Sequence, residues 1–527
     1  MGKHLQIFSV TQCICVLFIF NSCSKTTLSG TAGKVSNGGS PTSSKSPQSP
    51  EPSPKTTSAI PVTYLDPNGI IKDECKDIRP LPGTTTGLVL QYDWHASGDL
   101  AEFTNVVATP IVGRLKSTDP APTILAVGFK VCVGDVSQPA YLFAIDGRDG
   151  SQKWVRRDLP IEAGRSPAIG DLNGDGILEI VVIGKDNKLH VLDNTGGDIT
   201  TSTEDVIAAG TALYSTGLTV ADLGGDGQPM IVAGTKIFDG KNAVKKFSLA
   251  GNGFSSVGDV DGKPGLEVIT STGIYQGKDG VAICTFAEPI DEPTPAVMSG
   301  AADHGSVVGI TQSKVIVYDG KDCTPQKSFD KSITGGGPIN IADFNGDGIL
   351  DFGTAGRDSY EAFGLSGSLW TTPTKDTSSE RTGSTTFDFN GAGKNQVVYA
   401  DEEKLHVFDG STGKELYTAD HASYTARETP SIADVTGNGK ARIVVGANSC
   451  LPGASISGIR VFRDPEDAWV NTRPIWNQHT YSPLLVGDNG TLTQIEPESV
   501  SKPWLKKPYL AGFRNNIPQP QIKSSCK

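Results

Sequence analysis

Methionine is almost missing from this chain, with three residues in 527. Stretches with helical periodicity are few, so an all-helical or alternating helix–strand fold is excluded. Past the N-terminus no run of 18 or more apolar residues occurs, and no later membrane-spanning helix is expected. No basic patch interleaved with aromatics is present, and the net charge is −12. That balance excludes a nucleic-acid partner. No C-x-x-C pair occurs among the cysteines of the mature chain, which removes the common zinc and redox spacings. Patterns of the G-x-S-x-G, H-E-x-x-H and P-loop kinds are also absent, so no catalytic signature is legible. Glycine (62) and proline (33) are abundant, as expected of many short strands joined by turns.

What is present is a repeat of roughly 40 to 55 residues, long enough for one four-stranded blade. Its first half reads as a small-residue strand, an Asp-rich loop and an apolar strand. The clearest copies run from Ser166 to Gly184, Gly337 to Gly356 and Thr429 to Asn448. Weaker copies begin at Gly217, Ser255 and Ser384, and two without the Asp loop begin at Ala108 and Thr294. The second halves align as well, for example Tyr141 to Trp154 and Lys404 to Tyr417. Four short strands per unit predict an all-β propeller of eight four-stranded blades over residues 88–466, with seven as the alternative. The last unit lacks its fourth strand, while Leu88 to Trp94 is an orphan strand ahead of the first. The orphan is expected to complete the last blade and close the ring, leaving no exposed edge.

In two copies the loop fills every position of Asp-x-Asn-x-Asp-Gly-x-x-Asp/Glu. One carries Asp171, Asn173, Asp175, Ile177 and Glu179, and the other Asp343, Asn345, Asp347, Ile349 and Asp351. Alternate side chains turn oxygens inward, the glycine permits the tight turn, and the isoleucine at position 7 offers its carbonyl. Such an oxygen cage suits Ca2+, which takes six to eight hard ligands. Asp259, Asp261 and Glu267 keep three of the positions, but Lys263 replaces the third acid and its ammonium can stand where an ion would. The other three loops are incomplete and read as turns without metal: Asp222 and Asp226 lack partners at Gly224 and Met230, Asp388 and Asn390 face Ala392, and Asp434, Thr436 and Asn438 end at Arg442. Strand flanks and an acid at position 9 distinguish the pattern from an EF-hand. It resembles the FG-GAP/VCBS repeat of integrin-like propellers, over about 400 residues. The resemblance implies ligand or partner binding at a cell surface, adhesion included, with an unknown protein or glycan as ligand. Two alternatives share the architecture: a periplasmic envelope-assembly scaffold, and a propeller enzyme such as a polysaccharide lyase. A binding protein, not an enzyme, is the expectation.

The N-terminus reads as an export signal over residues 1–22, with Lys3 and His4 ahead of an apolar run too short to span a bilayer comfortably. It ends Phe20-Asn21-Ser22-Cys23, which resembles the lipobox of bacterial lipoproteins and implies lipidation at Cys23. Ser24, in place of Asp, implies the outer membrane, on its outer surface or on its periplasmic face. Residues 23–60 are rich in Ser, Thr, Pro and Gly and cannot bury a core, so a disordered tether is expected. Residues 61–87 form an N-terminal segment ahead of the propeller.

Nine cysteines include Cys13 and Cys15 in the signal and Cys23 at its end. Six remain, an even number that suits disulfides in an exported chain. Cys132 and Cys450 each follow the second strand of the first and last units, which a closed ring makes neighbours. Cys284 and Cys323 lie late in consecutive units, and Cys75 with Cys526 would tie the two tails. Counting alone does not fix this connectivity. In the C-terminal cap or tail, 467–527, Arg473 to Tyr481 (RPIWNQHTY), Trp504 and Phe513 to Asn516 offer either a contact site for glycan or peptide, or a cap that packs Trp476 and Trp504 on the propeller. His190 and His406 sit at equivalent strand positions, which predicts a packing role.

Overall fold

The computed structural model describes residues 86–130, 132, 139–206, 216–251, 253–296, 304–492 and 512–519, with short paired strands at Lys76–Asp77 and Gln521–Ile522. Cys13, Cys15, Cys23, the 23–60 tether, Cys75, Trp504 and Cys526 lie outside these residues.

Eight antiparallel blades follow one another along the chain, each of four strands except that the innermost strand of blade 1 is split into Asn105–Val106 and Ile111–Gly113, both paired to Thr123–Phe129. Blade 2 is typical: Ala168–Gly170, Glu179–Ile183, Lys188–Leu192 and Asp198–Asp205, hydrogen-bonded in that order. The second strand, EIVVI, is buried along its whole length because blades cover both its faces. The outer strand, DITTSTED, is exposed along most of its length, with Ser202 its one buried residue, as suits the polar rim of a blade. One short 3-10 turn, Gly98–Leu100, is the helical structure among the described residues. None of their helices is long and apolar enough to cross a membrane.

The ring closes as its repeat pattern predicts. Val89–Trp94 pairs antiparallel with Gly458–Arg463 and becomes the outer strand of blade 8. The innermost strand of blade 8, Ser431–Ala433, lies against that of blade 1, Ile111–Gly113. The seam also repeats a contact used inside the ring. Trp370, on the outer strand of blade 6, donates its indole N–H to Gly410 O at 2.7 Å and covers Gly413 in the next blade. Tyr92, on the closing strand, donates to Gly147 O at 2.7 Å and covers Gly150 of blade 1. A Cβ at Gly150 would sit 2.7 Å from the Tyr92 ring, and its φ of 76° favours glycine as well. Cys132 and Cys450, 318 residues apart, form a disulfide across the same seam. Cys284 and Cys323 form a second one between blades 4 and 5.

The axis of the ring is not open. The C-terminal segment runs through it and takes up the free backbone edges of the innermost strands. Trp476 exchanges backbone hydrogen bonds with Val112 of blade 1, and Asn477 O accepts from Ile169 N of blade 2. Gln478 Oε1 accepts from Val220 N of blade 3 at 2.7 Å. From the far end, Phe513 exchanges backbone bonds with Ile341 of blade 6, and Arg514 O accepts from Thr386 N of blade 7. Asn516 Nδ2 donates to Ile432 O of blade 8 at 2.7 Å. These residues are buried, with Trp476, Asn477, Gln478 and Asn516 at 0 % exposure. Of the two sequence readings, external contact is therefore the one that fails for this segment. It does pack on the propeller, but inside the channel and not over it.

Candidate metal loops and the filled channel

The Asp loops join the first and second strands, so antiparallel pairing gathers them on one face with the turns between third and fourth strands. Blade-to-blade connections occupy the opposite face. In each of the six loops the first Asp folds the turn by accepting backbone N–H groups. Asp171 takes those of Gly174, Asp175 and Gly176 at 2.7, 3.2 and 3.0 Å. Asp343 takes Gly346 and Gly348, Asp222 takes Asp226 and Gly227, and Asp259 takes Gly262. Asp388 takes Ala392 and Gly393, and Asp434 takes Gly437 and Gly439. Position 1 is thus a turn-former first, which accounts for its presence in loops that lack other ligands.

Position 9 has a structural duty of its own. Glu179 accepts from Leu172 N at 2.7 Å, Glu267 from Val260 N at 2.8 Å, and Asp351 from Phe344 N at 3.1 Å. In blade 7 the neutral Gln396 makes the same bond to Phe389 N at 2.9 Å. The sequence pattern treats position 9 only as a ligand. The glutamine at the same spacing is the signal that could have revealed its second use.

Positions 3 and 5 brace the turn as well: Asn173 Oδ1 accepts from Asp175 N and Asp175 Oδ1 from Ile177 N, each at 2.8 Å, and Asn345 and Asp347 repeat both bonds. Asn173 bridges Asp175 Oδ2 at 3.1 Å and Glu179 Oε1 at 2.8 Å, so the sequence-selected ligands of blade 2 form one cluster. Burial, followed by the charges of Asp175 and Asp171, pushes Glu179 up to about 7. Asp351 is likewise pushed up to about 7, by burial and then by Asp347 and Asp343. Carboxylates crowded in this way call for a positive partner. The donor set of carboxylates, an amide and the Ile177 or Ile349 carbonyl suits a hard divalent cation such as Ca2+.

The tightest convergence is in the loop the sequence ranks third. One oxygen each of Asp259, Asp261 and Glu267 lies within 4.8 Å of the others, the one such acidic triad among the described residues. Lys263 Nζ is 3.0 Å from Asp261 Oδ2. The lysine side chain is otherwise mostly in solvent, and Glu267 is still pushed up to about 8, chiefly by burial. The ammonium therefore offsets this cluster only in part.

Residues 131–233 match the FG-GAP-like repeat family. The chain is a β-propeller that carries an FG-GAP-like repeat. The V. cholerae biofilm matrix protein Bap1 superposes on this propeller with a TM-score of 0.68 at 17 % identity, covering 83 % of this chain and 100 % of that one. The exotype rhamnogalacturonan lyase YesX superposes with a TM-score of 0.51 at 13 % identity, covering 78 % and 83 %. At these identities the likeness is one of fold. Comparison with curated proteins returns no match.

The two strand histidines of this propeller and one in its channel have structural partners. His190 lies 3.0 Å from Asp186 and 3.1 Å from Thr201, and His406 bridges Asp401 at 3.0 Å and Glu415 at 2.6 Å. In both blades the ring ties the turn before its strand to the neighbouring outer strand, the packing role that the repeated position predicts. His479 lies in the channel segment, 2.8 Å from Thr109 Oγ1. Burial, then the charges of Arg514 and Arg427, hold it well below the usual histidine range.

Proposed function

We propose that this chain is a calcium-stabilised binding or adhesion protein, displayed on the bacterial outer membrane by a lipid on Cys23. The observation that carries the reading is the filled axis. Trp476 to Tyr481 and Phe513 to Asn516 occupy the channel where a propeller could house a cofactor or a deep substrate site. Ligand contact then falls to the two faces, a geometry suited to capture of large partners. Ca2+ held by Asp171, Asn173, Asp175, Ile177 and Glu179, and by Asp343, Asn345, Asp347, Ile349 and Asp351, would rigidify one of those faces. The ions are structural in this reading, with no reaction routed through them.

Protease shaving of intact cells, with and without a chelator, tests the proposal. Loss of the protein from intact cells supports surface display, and a core made protease-sensitive by the chelator supports structural calcium. Protection until the outer membrane is permeabilised would refute surface adhesion and favour the periplasmic scaffold.

A further inference from the structure

The described strands enter and leave the ring on the face of the Asp loops. Thr86 N donates to Asp464 Oδ2 at 2.7 Å, where the closing strand begins beside the end of the third strand of blade 8. Pro518–Gln519 pairs with Asn471–Thr472, and Thr472 N donates to Gly439 O of the blade 8 Asp loop at 2.8 Å. Two residues further on, Gln521–Ile522 pairs with Lys76–Asp77. Lys76 therefore lies on the Asp-loop side, and Cys23 is joined to the ring through it.

Exposed apolar side chains gather on the same side. Of the eight large hydrophobic residues exposed among those described, Tyr424 lies on the opposite face, in a connection between blades. The other seven lie in an Asp loop or near the start of an outer strand, which is the Asp-loop end of a blade. Three of them form a row across adjacent blades: Ile199 of blade 2, Val244 of blade 3 and Val281 of blade 4, 47 %, 53 % and 56 % exposed. Thr200 Oγ1 donates to Asn242 O at 3.3 Å, which sets Ile199 beside the turn that carries Val244. A Cβ on Gly280 would meet the Phe247 ring at 2.6 Å, which sets Val281 against the outer strand that Val244 precedes. The turns of blades 3 and 4 each place an exposed lysine three residues ahead of the valine, Lys241 and Lys278. Single exposed aliphatics are ordinary, but a row shared by neighbouring blades marks a surface that meets something. Aliphatic tips flanked by long-stemmed ammonium groups suit the headgroup boundary of a bilayer, where the stem covers apolar surface and the charge stays in water.

We propose that this row docks the Asp-loop face on the bilayer that carries the lipid of Cys23. The inference rests on the lipid-anchored reading, and adds the surface that meets the membrane. The roughly 50 residues between Cys23 and Lys76 keep the ring within about 40 Å of the anchor on average. Docking is then an intramolecular event, for which a shallow contact suffices. Ca2+ in the loops of blades 2 and 6, as proposed above, would offset the carboxylates of this face that an anionic leaflet repels. The opposite face, with Tyr424, is left to meet a partner.

The test is radical footprinting of the full lipidated chain on vesicles of phosphatidylethanolamine and phosphatidylglycerol, against the full chain with Cys23→Ser in buffer. Ile199, Val244 and Val281 should lose most of their oxidation on the vesicles, with Tyr424 unchanged as the internal reference. A variant with Ile199→Ser, Val244→Ser and Val281→Ser should keep its melting temperature, since these side chains are exposed, and should stay on the vesicles through its lipid. Its Lys241 and Lys278 should react with a bulky acylating reagent as fast as in buffer, whereas on vesicles the wild-type lysines should be slowed several-fold. Wild-type chain that does not stay on the vesicles refutes the lipid anchor and the docking together. Chain retained by its lipid but footprinted as in buffer refutes the docking alone. Protection of the row by cell-matrix material and not by vesicles assigns it to a macromolecular partner and overturns the proposal as well.

Discussion

Asn516 offers the sharpest test of the filled channel. Its side chain is 0 % exposed and makes four hydrogen bonds. Nδ2 donates to Ile432 O at 2.7 Å and to Ile475 O at 3.1 Å. Oδ1 accepts from the Tyr481 hydroxyl and from Ile517 N, each at 2.9 Å. One side chain thus joins blade 8 to both passes of the channel segment. Each bond contributes about 1 kcal/mol net, and Asn516→Ala also strands buried partners, so a loss of about 3 to 4 kcal/mol is expected. Water admitted to the vacated space would recover part of this and set the lower end near 2 kcal/mol. Asn516→Asp should cost more than Ala, because it aims a carboxylate oxygen at two carbonyl oxygens in a buried site. Thermal melting with limited proteolysis, in saturating calcium, reads both. A change within about 0.5 kcal/mol for Ala, the range of an ordinary surface substitution, would refute the placement of the tail. So would an Asp variant as stable as the Ala variant.

Removing calcium should lower the melting temperature, since each site held at a hundred times its dissociation constant adds about 2.7 kcal/mol. Asp175→Asn and Asp347→Asn should each abolish one site's share while leaving the turn intact, and identical melting in calcium and chelator would sink the metal assignment. His406 gives a pH dependence of known sign. Burial lowers its pKa, but Asp401 and Glu415 outweigh that and the net shift is upward. Its contribution is then complete below the ordinary histidine value near 6.5 and is lost as pH rises through the folded value. Denaturation midpoints of wild type and His406→Gln should converge as pH rises, and parallel profiles would count against the Asp401–His406–Glu415 bridge. Non-reducing peptide mapping should recover Cys132–Cys450 and Cys284–Cys323. It should also recover Cys75–Cys526, because Lys76–Asp77 pairs with Gln521–Ile522 beside them. Replacing Cys132 and Cys450 together by serine should cost about 2 to 4 kcal/mol in melting experiments.

The ring was legible because its signals repeat. Asp and Gly recur at fixed offsets in six units, and a missing fourth strand at one end matched a surplus strand at the other. Ring closure made Cys132 and Cys450 neighbours, and Cys284 and Cys323 were candidates because they lie late in consecutive units. The channel segment was opaque for the opposite reason. RPIWNQHTY has neither a period of two nor one of 3.6, so nothing in it predicts a partner. Its Asn, Gln, His and Tyr resemble a polar contact surface, yet they serve backbone groups that the innermost strands leave unpaired on the axis. Gln478 on Val220 N and Asn516 on Ile432 O answer a need of the ring that the blade repeats alone do not reveal.

In the Asp loops the residues proposed to hold a cation also fold the turn, and the two roles can be told apart. Asp222, Asp388 and Asp434 fold their turns with the same backbone bonds as Asp171. Gln396 shows that position 9 keeps its bond after losing its charge. An Asp at position 1 is therefore evidence of a turn, and an acid at position 9 evidence of a tied loop. Charge at position 5, Asp175 or Asp347, is what neither duty requires. A loop can lose that charge and still build its blade, as Ala392 and Asn438 at position 5 of blades 7 and 8 show, so the proposed ion binding is separable from the propeller fold.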